Sequence, residues 1–242
     1  MNIFLVILFV LTVNVSSGIG VGVPHQFQDY IDLQTLGNPI FYNWLWDRIG
    51  EDNYTPMIWN TNLYYTNSEE IDSLMQDTTI FWLLINEPER SDQANDTPSD
   101  VATMLQAIPT NNYACCGVVI GDNGIAWLDE FILYGVIPPV WHIHIYTTNE
   151  DLVMWRLNQF KTWMEDNSVV RPIIISEINA YTYIEGQNKM MEFLPTLLDD
   201  PDILAIYWFS TYYEASFPYA NLLTKEGELT DLGKLFINLT KE

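Results

Sequence analysis

The chain has 242 residues, 48% of them hydrophobic, and a formal net charge of -23 with only nine Lys plus Arg. That length and apolar content exclude a disordered polymer and fit either one α/β barrel or two small domains. The negative field excludes nucleic acid and anionic membranes as favoured partners and leaves a neutral or cationic ligand.

In chain order, the first feature is the apolar run Ile3 to Val13 in MNIFLVILFVLTVNVSSG. It is short for a membrane span, and Val15 and Ser17 are small enough to flank a cleavage point. Residues 1–17 therefore read as a signal peptide, and the protein is expected to be secreted with no stable membrane insertion after cleavage. The run has no Lys or Arg before it, so an uncleaved anchor is the alternative. The sequons at Asn53, Asn95 and Asn238 occur at about chance frequency and add little.

From residue 18 onward, short apolar segments alternate with longer ones. Eight read as strands: 19–23, 40–44, 55–59, 79–85, 116–121, 140–146, 172–178 and 203–209. Each is rich in β-branched or aromatic residues, and continuous apolar strands mean burial on both faces of a parallel sheet. The intervening segments read as crossovers. Val153, Leu157, Phe160 and Met164 form the stripe of an amphipathic helix, as do Leu232, Leu235, Phe236 and Leu239. Thr97-Pro98-Ser99-Asp100 is a helix opening, with a cap, Pro at the first position and an acid at the third. Residues 45–54 and 60–78 are short and have room for one or two helical turns each. The expected architecture is a single compact (β/α)8 TIM barrel over residues 18–242.

Cys115 and Cys116 are adjacent and cannot staple distant segments. They read as small buried residues opening a strand, with a vicinal disulfide as the strained alternative. No metal-ligand spacing occurs, and no cofactor is expected.

In such a barrel, working residues sit at the C-terminal ends of strands. The fourth strand ends Asn86-Glu87-Pro88 and the seventh ends Ser176-Glu177. Pro88 lacks an N–H and is expected to hold Glu87 extended. A lone Glu at a strand end usually caps a helix or meets an Arg. Two of them, facing each other across the mouth, suit glycoside hydrolysis: one carboxyl protonates the leaving oxygen, and the other attacks or activates water. The remaining ends hold Asn43-Trp44, Trp59-Asn60, His144 with Tyr146, and Trp208. Amide, imidazole and phenol groups can bond sugar hydroxyls, and indoles can stack on a pyranose, although each residue is equally suited to core packing.

Asn-Glu-Pro with a second Glu ending strand seven resembles clan A of the retaining glycoside hydrolases. The series FYNW (41–44), PMIW (56–59), LLINEPE (83–89), QANDTP (93–98), WLDEFI (127–132), HIY (144–146), PIIISE (172–177) and YWF (207–209) is more specific. It resembles glycoside hydrolase family 128, compact β-1,3-glucanases, over nearly all of residues 18–242. The resemblance implies Glu87 as general acid/base and Glu177 as nucleophile. It makes Asn86 the partner of the sugar 2-hydroxyl, Tyr146 the residue orienting Glu177, and Trp208 the floor of the subsite at the reacting sugar. It places Asn43, Trp44, Trp59, Gln93 and His144 around the substrate. It also implies a strained or cis peptide after Trp208. Asn60, Val119-Ile120-Gly121-Asp122 and Trp141 depart from the family pattern, which leaves subsite detail open. The expected protein is a monomer that acts on a polysaccharide or oligosaccharide outside the cell or at its wall. The alternatives are the same mechanism on another β-glycan, or a carbohydrate-binding wall protein without activity.

Overall fold

The computed structural model describes residues 18–24, 30–46, 48–180, 183–213 and 218–240. The expected leader, 1–17, lies outside the described residues, as does His25.

The strands are β1 (Gly18–Gly22), β2 (Phe41–Tyr42), β3 (Met57–Ile58), β4 (Trp82–Leu84), β5 (Tyr113–Val119), β6 (Val140–Thr147), β7 (Ile173–Ala180) and β8 (Ile203–Phe209). All pair in parallel in the order β2-β1-β8-β7-β6-β5-β4-β3. The two edges meet through a bridge between Phe41 and Tyr54 and a 2.8 Å bond from Thr55 N–H to the Phe41 carbonyl. The sheet is thus a nearly closed (β/α)8 barrel.

The helices are α1 (Tyr30–Thr35), α2 (Thr61–Thr66), α3 (Ser68–Met75), α4 (Pro98–Ala107), α5 (Asp122–Ile132), α6 (Glu150–Asp166), α7 (Ile184–Leu198) and α8 (Asp231–Thr240). The α4 start follows its sequence: the Thr97 hydroxyl accepts the Asp100 N–H, and Pro98 opens the helix. The segment 60–78 holds more helix than expected, α2 and α3 in succession. Two bonds at the start of α2 account for its helix: the Asn60 side chain accepts the Leu63 N–H at 2.7 Å, and the Asp96 carboxylate, distant in sequence, accepts the Thr61 N–H at 2.8 Å.

Apolar residues fill two layers. The lumen packs Tyr42, Met57, Leu83, Ala114, Ile174 and Tyr207. The outer layer, between strands and helices, includes Trp82, Trp141, Ile173, Ile175, Phe160 and Trp208. Ile173, Ile174 and Ile175 are fully buried although neighbours face opposite layers. Each contributes ~1.5–3 kcal/mol, which is why β7 is apolar without alternation.

Strands β2 and β4 are shorter than the apolar runs that contain them. Trp44 and Ile85, the last residues of their runs, take positive φ, +61° and +67°, and leave the strand conformation. Elsewhere the ladder is interrupted. Gly117 is an extra residue in β5 opposite β6, and Ser176-Glu177 is a two-residue stretch in β7 facing a single residue of β8. Such bulges re-aim side chains beside active sites.

Cys115 and Cys116 are bonded to each other, so the vicinal disulfide replaces the expected pair of free thiols. The peptide that joins them is cis. A second cis peptide joins Phe209 and Ser210, one bond later than expected. No helix among the described residues is long and apolar enough to cross a membrane.

Candidate active site

The top of the barrel carries a cleft of ≈ 990 Å³ whose lining includes Trp44, Trp59, Asn86, Glu87, Tyr146 and Glu177. Its geometry begins with the backbone. Ile85 and Glu87 both take positive φ, +67° and +48°. For a β-branched residue this is a rare and costly conformation, of order 1–3 kcal/mol, which surrounding bonds must hold. They do: Ile85 N–H donates to the Ile58 carbonyl at 2.7 Å, Asn86 N–H to Trp59 at 2.9 Å, and Glu87 N–H to Gly117 at 3.1 Å. Glu87 is therefore left-handed rather than extended as expected. Neighbouring strands, more than Pro88, fix where the chain turns.

Glu177 is buried at the β7 bulge and is held by several donors. Its Oε1 accepts the Trp44 indole N–H at 2.8 Å and the Tyr42 hydroxyl at 3.1 Å. Its Oε2 accepts the Tyr146 hydroxyl. Glu87, equally buried, accepts from His144 Nδ1 at 3.0 Å through Oε1, and its Oε2 lies 3.4 Å from Arg90 Nε. His144 Nδ1 is also 3.6 Å from Glu177 Oε2. Facing atoms of Glu87, His144 and Glu177 all lie within 4.8 Å of one another. These three are the one group of such side chains among the described residues, and hydrogen bonds within the group and from Trp44, Tyr42 and Tyr146 already engage it.

Burial pushes the Glu177 carboxyl above the usual range, and the Glu87 charge adds to this, while His144, Tyr146 and Trp44 oppose it. Burial alone would lower the His144 imidazole, but Glu177, Glu87 and Glu89 outweigh it and hold it above the ordinary histidine value. The Tyr42 and Tyr146 phenols are pushed well up by burial and by Glu177, so both stay donors. His142, one pair below on β6, is pulled down to about 3 by burial. It stays neutral between Ser176 Oγ at 2.8 Å and the Leu84 carbonyl at 2.7 Å.

Of the expected residues, Asn43, Trp44, Trp59, Asn86, Gln93 and Tyr146 line the cleft with the two Glu. Asn86 Nδ2 donates to Gln93 Oε1 at 3.2 Å, and its Oδ1 has no protein partner. Trp44 turns its indole N–H on Glu177, so it positions a carboxylate as well as forming wall. Asn43 accepts the Tyr54 hydroxyl at 2.7 Å and bonds Leu45 N–H, which fixes the loop after β2. Two expectations change. Trp208 is fully buried in the outer layer and donates to the Ala220 carbonyl at 2.8 Å; strand alternation puts Phe209 on the cleft instead. His144 is fully buried behind the carboxylates, where it bonds Glu87 rather than lining the cleft. Sequence reading also missed Tyr42, Arg90 and Glu89. Arg90 was within reach of it, standing three residues after Glu87 in a turn.

A family model described as glycosyl hydrolase catalytic core matches residues 26–236. No curated protein sequence matches. Among solved structures, an endo-β-1,3-glucanase of glycoside hydrolase family 128, subgroup II, from Pseudomonas viridiflava is 25% identical with TM-score 0.71, covering 91% of this chain and 96% of that one. A subgroup II endo-β-1,3-glucanase from Sorangium cellulosum is 22% identical with TM-score 0.73, covering 91% and 98%. A subgroup I endo-β-1,3-glucanase from Amycolatopsis mediterranei, in complex with laminaritriose, is 19% identical with TM-score 0.73, covering 93% and 100%. The last two show likeness of fold.

Proposed function

Since the chain belongs to the glycosyl hydrolase catalytic core family and is a glycoside hydrolase, we propose that it cleaves β-1,3-glucan with retention, by double displacement on Glu177 and Glu87. One observation carries the mechanism: facing atoms of the two carboxylates lie within 4.8 Å. So close an approach of one oxygen from each group fits the short carboxyl separation of a retaining pair, about 5–5.5 Å, better than the separation of about 6.5–9.5 Å by which an inverting pair admits a water. The substrate class rests on the family 128 enzymes with which the fold aligns over 91% and 93% of this chain, one of them holding laminaritriose.

In the first step a Glu177 oxygen attacks the anomeric carbon while Glu87 gives a proton to the departing glycosidic oxygen. The C–O bond to the leaving sugar breaks, and a glycosyl ester on Glu177 forms. In the second step Glu87, now a carboxylate, takes a proton from water, and that water displaces Glu177. Tyr146, Tyr42 and Trp44 hold Glu177 with its attacking oxygen aimed into the cleft. Asn86, with a free carbonyl oxygen, is suited to accept the 2-hydroxyl of the reacting sugar. Phe209 takes the place foreseen for Trp208 as apolar surface beside that sugar. Residues 1–17 serve as a leader, and the mature chain works outside the cell as a monomer; amino-terminal sequencing of the exported protein should start at Gly18.

Reducing ends should appear with laminarin and not with cellulose or galactan. Glu87→Gln and Glu177→Gln should each lose ~10²–10⁴-fold in kcat. Azide should rescue Glu177→Gly to an α-glycosyl azide and Glu87→Ala to a β-glycosyl azide. Full activity in either Gln variant would sink the assignment.

A further inference from the structure

Behind the two carboxylates lies a third, Glu89, that the mechanism does not use. Its Oε1 accepts the Val119 N–H at 2.9 Å, which fixes it against the end of β5. Val119 is the register partner of His144 on β6. Its Oε2 is buried without a protein partner. So is the Nε2 of His144, whose other nitrogen bonds Glu87. The carboxylate and the imidazole interact electrostatically, yet no direct bond joins them. Two complementary buried groups, each unsatisfied, cost about 1–3 kcal/mol apiece unless something joins them. A buried water with such partners is the usual solution.

We propose that Glu89 is a positioning residue for the reaction: through one bridging water its Oε2 holds the Nε2–H of the His144 imidazolium, so that both ring nitrogens keep their protons and Nδ1 donates to Glu87. The inference rests on the acid/base role given above to Glu87. Among the described residues, the groups facing His144 are Glu87 and Glu89 after β4, Glu177 on β7, and His142 and Tyr146 on its own strand. Arg90 reaches Glu87 from outside, and Tyr42 and Trp44 reach Glu177. His142 is neutral, so Glu89 is the anion that acts on the Nε2 side. Removing its charge should weaken proton retention on His144 and leave the cleft walls in place.

The test is a histidine NMR titration of the intact protein, with His144 assigned by loss of its signal in His144→Gln. In Glu89→Gln the His144 midpoint should fall by about one pH unit, equivalent to a tenfold change in proton affinity. The basic limb of kcat/KM on laminarin should shift to lower pH by the same amount, with KM little changed. Glu89→Asp, which keeps the charge, should restore part of both. An unmoved His144 midpoint in a folded Glu89→Gln protein overturns the proposal. Should that variant unfold, a high-resolution crystal structure of the wild type decides: a water bonded to both Oε2 and Nε2 supports the bridge, and its absence overturns it. Neither reading needs activity, so failure of the glucanase reading would show separately, as wild-type protein inert on laminarin.

Discussion

Tyr146 shows how much one hydroxyl can set. Glu177 must be ionised to attack, yet burial pushes its carboxyl up, and the donors Tyr146 and Trp44 pull the other way. In Tyr146→Phe one donor is lost while the ring stays. The Glu177 midpoint should rise further, so the acidic limb of kcat/KM moves to higher pH. The sign follows from which form the bond favours: the Tyr146 hydroxyl donates to the Glu177 carboxylate, so removing it favours the acid. Loss of such a donor costs about 10²–10³-fold in kcat. An acidic limb that stays put would contradict the role. The meeting of Glu87, Glu177, Asn86 and Tyr146 at one cleft was legible because the strand-end rule needs only strand count and residue type. Trp208 was misplaced because its side chain direction depends on strand alternation at one position, where Phe209 takes the cleft side. Tyr42 was invisible because its place in β2 reads as lumen packing, and its ring does pack there while its hydroxyl reaches Glu177.

The elements that carry these side chains are aimed by irregularities. Gly117 is the clearest. It sits at φ +52°, it is the extra residue of the β5 bulge, and its carbonyl receives the Glu87 N–H. A Cβ there would lie 2.5 Å from the Ile85 carbonyl oxygen and 2.7 Å from the His142 ring. Gly117→Ala therefore meets both a left-handed backbone cost of about 1–2 kcal/mol and a collision with backbone that cannot give. A loss of at least ~2 kcal/mol should lower Tm by about 4–8 °C for a chain this size. Because the collision is with the turn that carries Glu87, kcat should fall as well in the fraction that remains folded. An unchanged Tm would show that the bulge is not fixed as described. The alternation of strands and crossovers was legible because burial on both faces leaves unbroken apolar runs. Bulges, positive φ at Ile85 and Glu87, and the Asp96 contact that opens α2 were not. Each depends on a partner distant in sequence: Gly117 for Glu87, Asp96 for Thr61.

At the scale of the whole molecule, charge and substrate meet. Thirty-two acidic residues against nine basic ones leave the formal charge at -23 near neutral pH. Surface carboxylates repel one another in the folded state more than in an expanded chain, so folding works against this field. Raising salt from 0.1 to 1 M shortens the screening length from about 10 to about 3 Å. Tm at neutral pH should therefore rise with NaCl, most steeply at the low end of the range. A glucan carries no charge, so its encounter with the cleft gains nothing from screening. For laminarin, kcat/KM should stay within about twofold over that range, once protein stability is held well above the assay temperature. A polyuronic chain of similar length would be repelled at low salt and admitted at high salt. Measuring both substrates across the same salt series separates a neutral-glycan enzyme from one adapted to charged polymers. A steep rise of laminarin hydrolysis with salt at constant fold would contradict the neutral-substrate reading, because the carboxylates inside the cleft, Glu87 and Glu177, are held by His144, Arg90 and the tyrosines and take no part in that screening.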